Sequence, residues 1–329
     1  MKQEKGLAYC GLVCAVCSEN ENCPGCRKEG CKDKEWCKNF ICARQKHING
    51  CWECEDFPCN AENEADPYSA MTNMLGKLRI RTFARFIRQY GEEKLLECLG
   101  ANEKAGIMYH YPGELEGDYD KPKTENEIIE LIFKNDPHPN LYVHCPVYET
   151  EDYLVRLVRM EDAEDLLSCY GDPKAQPIFN SDNCTNDFWF STIEEMKDMI
   201  GYWIDSYSKG YYVRLSILDK KKLCEAVGTI ELFNWDQGKP IPNVGVLRMD
   251  LASDQEQEGK IAQLLDLAVI KLCPALQVEH MITKAIPLAA ERRKALQAAG
   301  FSDFNRPDVM DFGDYFCIDG EIVDRPCDK

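Results

Sequence analysis

No stretch of this chain approaches the roughly 18 consecutive apolar residues that a helical membrane span needs, so the expectation is a soluble, cytoplasmic protein without a membrane partner. Its first ten residues, MKQEKGLAYC, hold no apolar run long enough for a secretory signal. Positive charge is short as well: 39 Lys and Arg stand against 57 Asp and Glu, a net charge of -18. The deficit is uneven, with 20 basic against 33 acidic residues after position 145. A phosphate backbone finds little to hold there, so nucleic acid is disfavoured as a partner and a cationic or amine-bearing one is favoured.

Cysteine is abundant instead. Eleven of the 19 fall between Cys10 and Cys59, as Cys10-x3-Cys14-x2-Cys17, Cys23-x2-Cys26, Cys31, Cys37, Cys42, Cys51-x2-Cys54 and Cys59. Pairs two residues apart bend into knuckles that aim two thiolates at one tetrahedral ion, and Pro24-Gly25 and Trp52-Glu53 suit such turns. A disulfide framework is the rival reading; the odd count and the missing signal run oppose it. The spacing favours zinc over an iron–sulfur cluster. Two tetrahedral sites would use eight thiolates, whereas three would need all eleven and a twelfth ligand, for which His47 is nearby. The number of ions, two or three, stays open.

The chain reads as three segments: a cysteine-rich metal-binding module (1–62), a helical extension of it (63–145) and an α/β domain (146–329). Residues 68–90 carry Lys77, Arg81, Arg85 and Arg88 on one helical face, opposite Met71, Leu75, Leu78 and Phe86. A solvated face is the plainer reading and a nucleic-acid contact the sharper one. Thr124-x-x-Glu127 is a capping box ahead of Ile128, Ile129, Leu131 and Ile132, and Asp136-Pro137-His138-Pro139-Asn140 reads as a linker. Tyr9-Cys10-Gly11-Leu12-x-Cys14-x-x-Cys17, Tyr90-Gly91 with Leu95-Leu96-x-Cys98-Leu99, and Gly106-x-x-Tyr109-His110 with Gly117-Asp118-Tyr119-Asp120 resemble a cysteine-rich bacterial domain family of unknown function. Tyr109, His110, Asp118 and Asp120 read either as a site or as a structured loop packed on the metal module.

After residue 150 strands and helices alternate. Strands are expected at 155–158, 211–218, 223–233, 244–251, 280–286 and 311–318, with helices at 162–170, from the capping box Thr192-x-x-Glu195, at 259–272 and at 289–299. This βααβββαβαβ order, an α/β (α+β) mixed sheet with flanking helices, resembles the GNAT superfamily of acetyl-CoA-dependent acyltransferases over residues 150–320. Leu154 to Ala163 and Val227-Gly228-Thr229-Ile230-Glu231-Leu232-Phe233 are similar to its ribosomal-protein N-terminal acetyltransferase branch. The resemblance implies acetyl-CoA as substrate, an amine on a small molecule or a protein N-terminus as acceptor, and a pyrophosphate held by Leu251, Ala252, Gln257, Glu258, Gly259, Lys260, Ile261 and Ala262 at a helix start. The family's glycine-rich loop is degenerate here. Asp254, Glu256 and Glu258 stand beside the expected phosphates, and Leu296 stands where the family has a tyrosine that protonates the leaving thiolate. Glu231 is the candidate base, with a plain surface carboxylate as the alternative. Three functions follow in order: an N-acyltransferase with an accessory zinc module, a degenerate GNAT-fold binding or regulatory protein, and nucleic-acid binding through the cysteine knuckles.

Overall fold

The computed structural model describes residues 2–17, 22–30, 32, 34–59, 77–179, 188–235, 243–304 and 313–319. The chain divides into two compact units, Met1–Pro137 and His138–Lys329.

In the first unit the cysteine-rich segment contributes a helix, α1 (Lys38–Lys46), and tight turns at Cys14–Val16, Cys26–Lys28 and Cys51–Glu53. Then come α2 (Leu78–Tyr90), α3 (Glu92–Lys104) and α4 (Glu125–Phe133). Gly91, at φ +89°, ends α2 and begins α3, a conformation that a side chain would strain. The expected capping box opens α4: the Thr124 hydroxyl accepts from the Glu127 amide and the Glu127 carboxylate accepts from the Thr124 amide. Phe83, Phe86, Leu95, Leu99, Ile128 and Ile132 share one buried core with Leu7, Val13, Cys51 and Trp52, so the helices and the cysteine segment bury each other's apolar surface. Part of the basic face of α2 is ion-paired within the unit, while Lys77, Arg85 and Arg88 stay exposed. Arg81 and Arg85 both reach Glu125, Arg79 is buried against Asp120, and Arg88 lies 6.0 Å over the Phe57 ring.

The second unit is a single mixed sheet with flanking helices, the fold class expected from the sequence. Its elements in chain order are β1 (Tyr148–Glu149), β2 (Tyr153–Leu157), α5 (Ala163–Tyr170), α6 (Ile193–Ser208), β3 (Val213–Asp219), β4 (Glu225–Asn234), β5 (Val244–Leu251), α7 (Glu258–Leu267), β6 (His280–Lys284), α8 (Ala290–Ala298), β7 (Ser302–Asp303) and β8 (Tyr315–Asp319). The sheet order is β1-β2-β3-β4-β5-β6-β8-β7, and every neighbouring pair is antiparallel except β5 and β6. Alternate residues of β3 to β5, such as Val213, Leu215, Ile230, Leu232, Leu247 and Met249, pack with Ile261, Leu264 and Leu265 of α7. Tyr170, Met196, Ile200 and Trp203 of α5 and α6 form a second cluster.

Residues 138–145 are not a free linker. Leu141 is fully buried in the core of the second unit, its amide donates to the Ala275 carbonyl at 3.0 Å, and its own carbonyl accepts from the Tyr207 hydroxyl at 2.7 Å. Pro139 excludes regular structure there, but it does not prevent an irregular segment from burying a leucine in the core. No helix among the described residues is long and apolar enough to cross a membrane.

Candidate functional site

The sheet opens at one place. β5 and β6 pair in parallel only from Val244 opposite His280 to Leu247 opposite Thr283. β6 ends at Lys284, whereas β5 continues to Leu251, held from there by β4 alone. The edge of β5 from Arg248 to Leu251 thus has no strand partner on its β6 side among the described residues. An extended ligand could take that edge as a missing strand would. The parallel crossover from β5 through α7 to β6 puts the start of α7 at the carboxyl end of the sheet, beside this gap.

At that helix start the eight residues expected to hold a cofactor divide into kinds. Leu251 ends β5 fully buried, and the Ala252 amide donates to the Val227 carbonyl at 2.9 Å. Gln257 is the N-cap; its carbonyl accepts from the Lys260 and Ile261 amides at 3.0 Å each, which leaves the Glu258 and Gly259 amides ahead of the first intrahelical bond. Ile261 is fully buried in the core, and Ala262 follows it half-buried. A methyl group built on Gly259 would meet nothing within 4 Å, so the space beside this residue of the first turn is open. Lys260 donates to Gln255 at 3.0 Å, and so does the Tyr153 hydroxyl at 2.8 Å, which fixes the loop from below.

The three acids of the loop do not all face the same way. Asp254 accepts from Lys222 at 2.7 Å, and Glu256 is ion-paired to the buried Arg292 of α8. The like-charge opposition expected of these two is therefore answered by cations. Glu258 stays exposed, and the Glu291 carboxylate, which Lys294 and the Glu258 backbone amide hold below the usual carboxylate range, adds a second anion at this terminus. Leu296 is buried in the core, 1% exposed, and offers no proton.

A buried polar ladder crosses the sheet next to the gap. Arg214 on β3 is opposite Glu231 on β4, and Glu231 is opposite Arg248 on β5. Glu231 is 4% exposed, so it is not a surface carboxylate; one oxygen accepts from Arg214 at 2.5 Å and the other from Arg248 at 2.9 Å. Arg214 also donates to Thr229 at 2.9 Å and reaches Asp250 at 3.4 Å, and its guanidinium lies 4.4 Å over the Trp203 ring. Burial pulls the Arg214 pKa down, but Glu231, Tyr170 and Asp250 outweigh it and the net direction is up. Tyr170, whose hydroxyl meets Thr229 at 2.7 Å, is pushed well above the usual phenol range by burial.

In the first unit the cysteines cluster. Leu12, Cys14 and Cys26 pack against a small buried cluster of Ala8, Cys10 and Ile80, and Cys51 and Cys54 are buried too. Burial, with Cys59, Cys42 and Cys54 close by, pushes the Cys51 thiol up to about 11. No three His, Cys, Asp or Glu side chains among the described residues stand ready around one ion, and Cys31 lies outside those residues. The exposed His47 ends α1 in the left-handed conformation. The Tyr109 to Asp120 loop is packed on the module: the Val13 amide donates to the Tyr109 hydroxyl at 3.1 Å. Asp118 accepts from Tyr111 at 2.6 Å and from Lys121 at 2.9 Å, while Asp120 accepts from the Gly117 amide at 2.8 Å and from Arg79 at 2.5 Å. A side chain at Gly117 would meet the Tyr109 carbonyl oxygen at 2.3 Å, so the loop closes only on glycine.

His110 lines a cavity of about 60 Å³ with its Nδ1 unpartnered, and burial lowers its pKa from 6.5 to about 4. The unfolded chain then binds a proton that the folded one refuses, so stability should fall as the pH drops from 6.5 to about 4. His110→Leu should flatten that slope, read as the pH dependence of amide-exchange protection in α2 to α4. An unchanged slope would remove His110 from the acid response.

Residues 18–64 match the family described as "Protein of unknown function (DUF3795)". No curated protein matches the chain. Among solved structures, the ribosomal-protein-S5-alanine acetyltransferase from Vibrio fischeri is 17% identical, with 55% of this chain and 100% of that one covered and a TM-score of 0.42. Mycobacterium smegmatis RimJ in complex with CoA-disulfide is 16% identical, covering 53% of this chain and 84% of that one, with a TM-score of 0.42. AAC(6')-Ib in complex with paromomycin and acetyl-CoA is 15% identical over 51% of this chain and 94% of its own, with a TM-score of 0.40.

Sequence reasoning missed Arg214, Arg248, Asp250 and Tyr170. Polar residues alternating with apolar ones along a strand read as a solvated face, and only the packing of α5 and α6 turns that face inward. Nothing in the sequence signals that Arg292 would be the partner of Glu256.

Proposed function

We propose that the His138–Lys329 unit is an N-acyltransferase that moves an acetyl group from acetyl-CoA to an amine, on a small molecule or a protein N-terminus. The observation that carries this reading is the divergence of β5 from β6 beyond the Leu247–Thr283 pair, with the α7 amides at its mouth. In this reading the extended arm of CoA lies along the edge of β5 from Arg248 to Leu251, and its pyrophosphate meets the Glu258 and Gly259 amides. The neutral amine attacks the thioester carbon, an N–C bond forms and the C–S bond breaks; the nitrogen gives up one proton and the departing thiolate takes up one. With reactants held this way, positioning supplies most of the rate. Glu231 remains the candidate base by its place on β4, but it would have to part from a guanidinium to accept a proton. Its present geometry supports holding Arg248 beside the gap.

The Met1–Pro137 unit, in this proposal, binds zinc through the thiolates between Cys10 and Cys59 and serves recruitment or stability. The donor set suits a soft tetrahedral ion, since the thiols are clustered, partly buried and flanked by nitrogen donors. Zinc would supply folding energy there, not chemistry on the acyl group.

A second reading, a degenerate fold that binds CoA or a partner without transfer, is favoured by the exposed Glu258 carboxylate at the start of α7, which opposes an anion there. Calorimetric titration of the full chain with acetyl-CoA separates the two. Saturable binding is expected with Kd between about 1 μM and 1 mM, the ordinary substrate range, and should be lost in Gly259→Val, followed by thiol release when an amine acceptor is added. Binding without thiol release from any amine would support the second reading. No heat at about 1 mM acetyl-CoA would overturn both as far as CoA is concerned.

A further inference from the structure

We infer that the cavity lined by His110 is a binding site for a small molecule that presents an uncharged carboxamide to its imidazole. The site is independent of the acyl-transfer and zinc readings above.

The cavity measures about 60 Å³ and is walled by Leu99 of α3 together with Ile107, Tyr109 and Tyr119. Its exposed members are Glu103 and Met108, which mark the mouth. The walls are tied by bonds that need no ligand. The Met108 amide donates to the Asp118 carboxylate at 2.7 Å and the Asp118 amide to the Met108 carbonyl at 2.8 Å, while the Ile107 amide donates to the Asn102 carbonyl at 2.9 Å. The Tyr119 hydroxyl is held by the Asn102 side-chain amide at 2.7 Å. His110 lies against the Tyr109 ring, their centroids 4.6 Å apart, and is 5% exposed. Such a preformed space with one inward polar group has the character of a ligand site.

One bond is missing from it. His110 Nδ1 has no partner, and it is alone in that among the buried side-chain atoms of the lining. Buried polar atoms are nearly always satisfied, so a guest should meet it. Water by itself fits poorly, since a buried water makes about three hydrogen bonds and only one side-chain atom here is waiting. The volume is about twice the share of one water in the liquid, room for a group of about three heavy atoms. Charge is excluded. Burial, with the Arg79 cation adding to it, lowers the His110 pKa to about 4, so the imidazole is neutral at neutral pH, and the same desolvation opposes an ionic guest. Arg79 further opposes a cation, and Glu103 at the mouth an anion. A neutral imidazole carries its proton on one nitrogen, so Nδ1 needs an acceptor in one tautomer and a donor in the other. A carboxamide supplies both through its C=O and N–H. The rest of the molecule leaves past Met108, whose unbranched thioether adapts to varied shapes.

Acetamide, acetate and acetamidinium share one shape and differ in charge. Each is titrated into the full chain while the ring nitrogens of isotope-labelled histidine are followed by NMR. The His110 signal is identified by its absence from His110→Gln or, should that variant not fold, by its displacement in Met108→Trp. Acetamide should shift it saturably with a Kd of about 1–100 mM, as weak as so small a head dictates, and the two ions should leave it in place. Met108→Trp, a change at the exposed mouth, should weaken acetamide binding by about 10-fold or more at an unchanged Tm. No saturable shift up to about 0.5 M acetamide would overturn the site and leave the cavity to water. An equal response to acetate or acetamidinium would overturn the carboxamide assignment, and unchanged binding by Met108→Trp would put the acetamide outside this cavity.

Discussion

Arg214→Leu should destabilise the His138–Lys329 unit by about 3–5 kcal/mol, the range for removing one partner of a buried ion network. The reason is what stays behind. Arg214 is 2% exposed and stands between Glu231 and Asp250, themselves 4% and 2% exposed. Leucine fills part of the volume and none of the charge. Glu231 keeps Arg248, but Asp250 loses its nearby cation and retains the Tyr170 hydroxyl, which donates to it at 3.0 Å. Adding Asp250→Asn to Arg214→Leu should therefore recover part of the loss, because a neutral amide no longer needs a counter-charge. Urea unfolding of the two variants and the parent measures it. A single variant within about 1 kcal/mol of the parent would mean that water reaches the ladder and that it holds the sheet no more firmly than a surface pair.

The same ladder marks where the sequence stops being readable. The order of strands and helices after residue 150 was legible because each element is long enough to repeat its pattern: residues 244–251 alternate as a strand should, and Thr192-x-x-Glu195 announces α6 with its own cap. β1 and β7 have two residues each, too short for any alternation, and exist only because a neighbouring strand offers its edge. Leu223, expected at the start of a strand, sits at φ +54° and is 99% exposed, since the turn from β3 needs a left-handed residue before β4 can begin. The α7 helix, expected to run through 272, passes into a wider π turn at Ala268–Leu272, which no periodicity of apolar residues distinguishes from a regular helix. The candidate site follows the same rule. Its backbone parts, the end of β5 and the start of α7, could be placed from the pattern. Its side-chain partners could not, because Glu256 finds Arg292 from 36 residues away.

That pairing sets the last expected result. Read along the chain alone, Glu256 is one more acid against the phosphates, and Glu256→Gln should tighten CoA binding. In the folded unit it should do something else: the Glu256 side chain is 10% exposed and Arg292, 2% exposed, keeps its guanidinium against it. Burial raises the Glu256 pKa and Arg292 opposes that rise, so the carboxylate is held in place by its partner and not by water. Glu256→Gln should then lower the stability of the unit by about 3–5 kcal/mol, a fall in Tm on the order of 10 °C, with no gain in CoA affinity. Glu258→Gln should behave oppositely. Its carboxylate is exposed at the α7 terminus, so removing it should cost at most about 1 kcal/mol of stability and, if CoA binds there, tighten binding roughly 2- to 5-fold. Calorimetry and thermal melts of the two variants side by side separate the roles. Tighter CoA binding by Glu256→Gln at an unchanged Tm would mean that this acid faces the ligand and that Arg292 is not its structural partner.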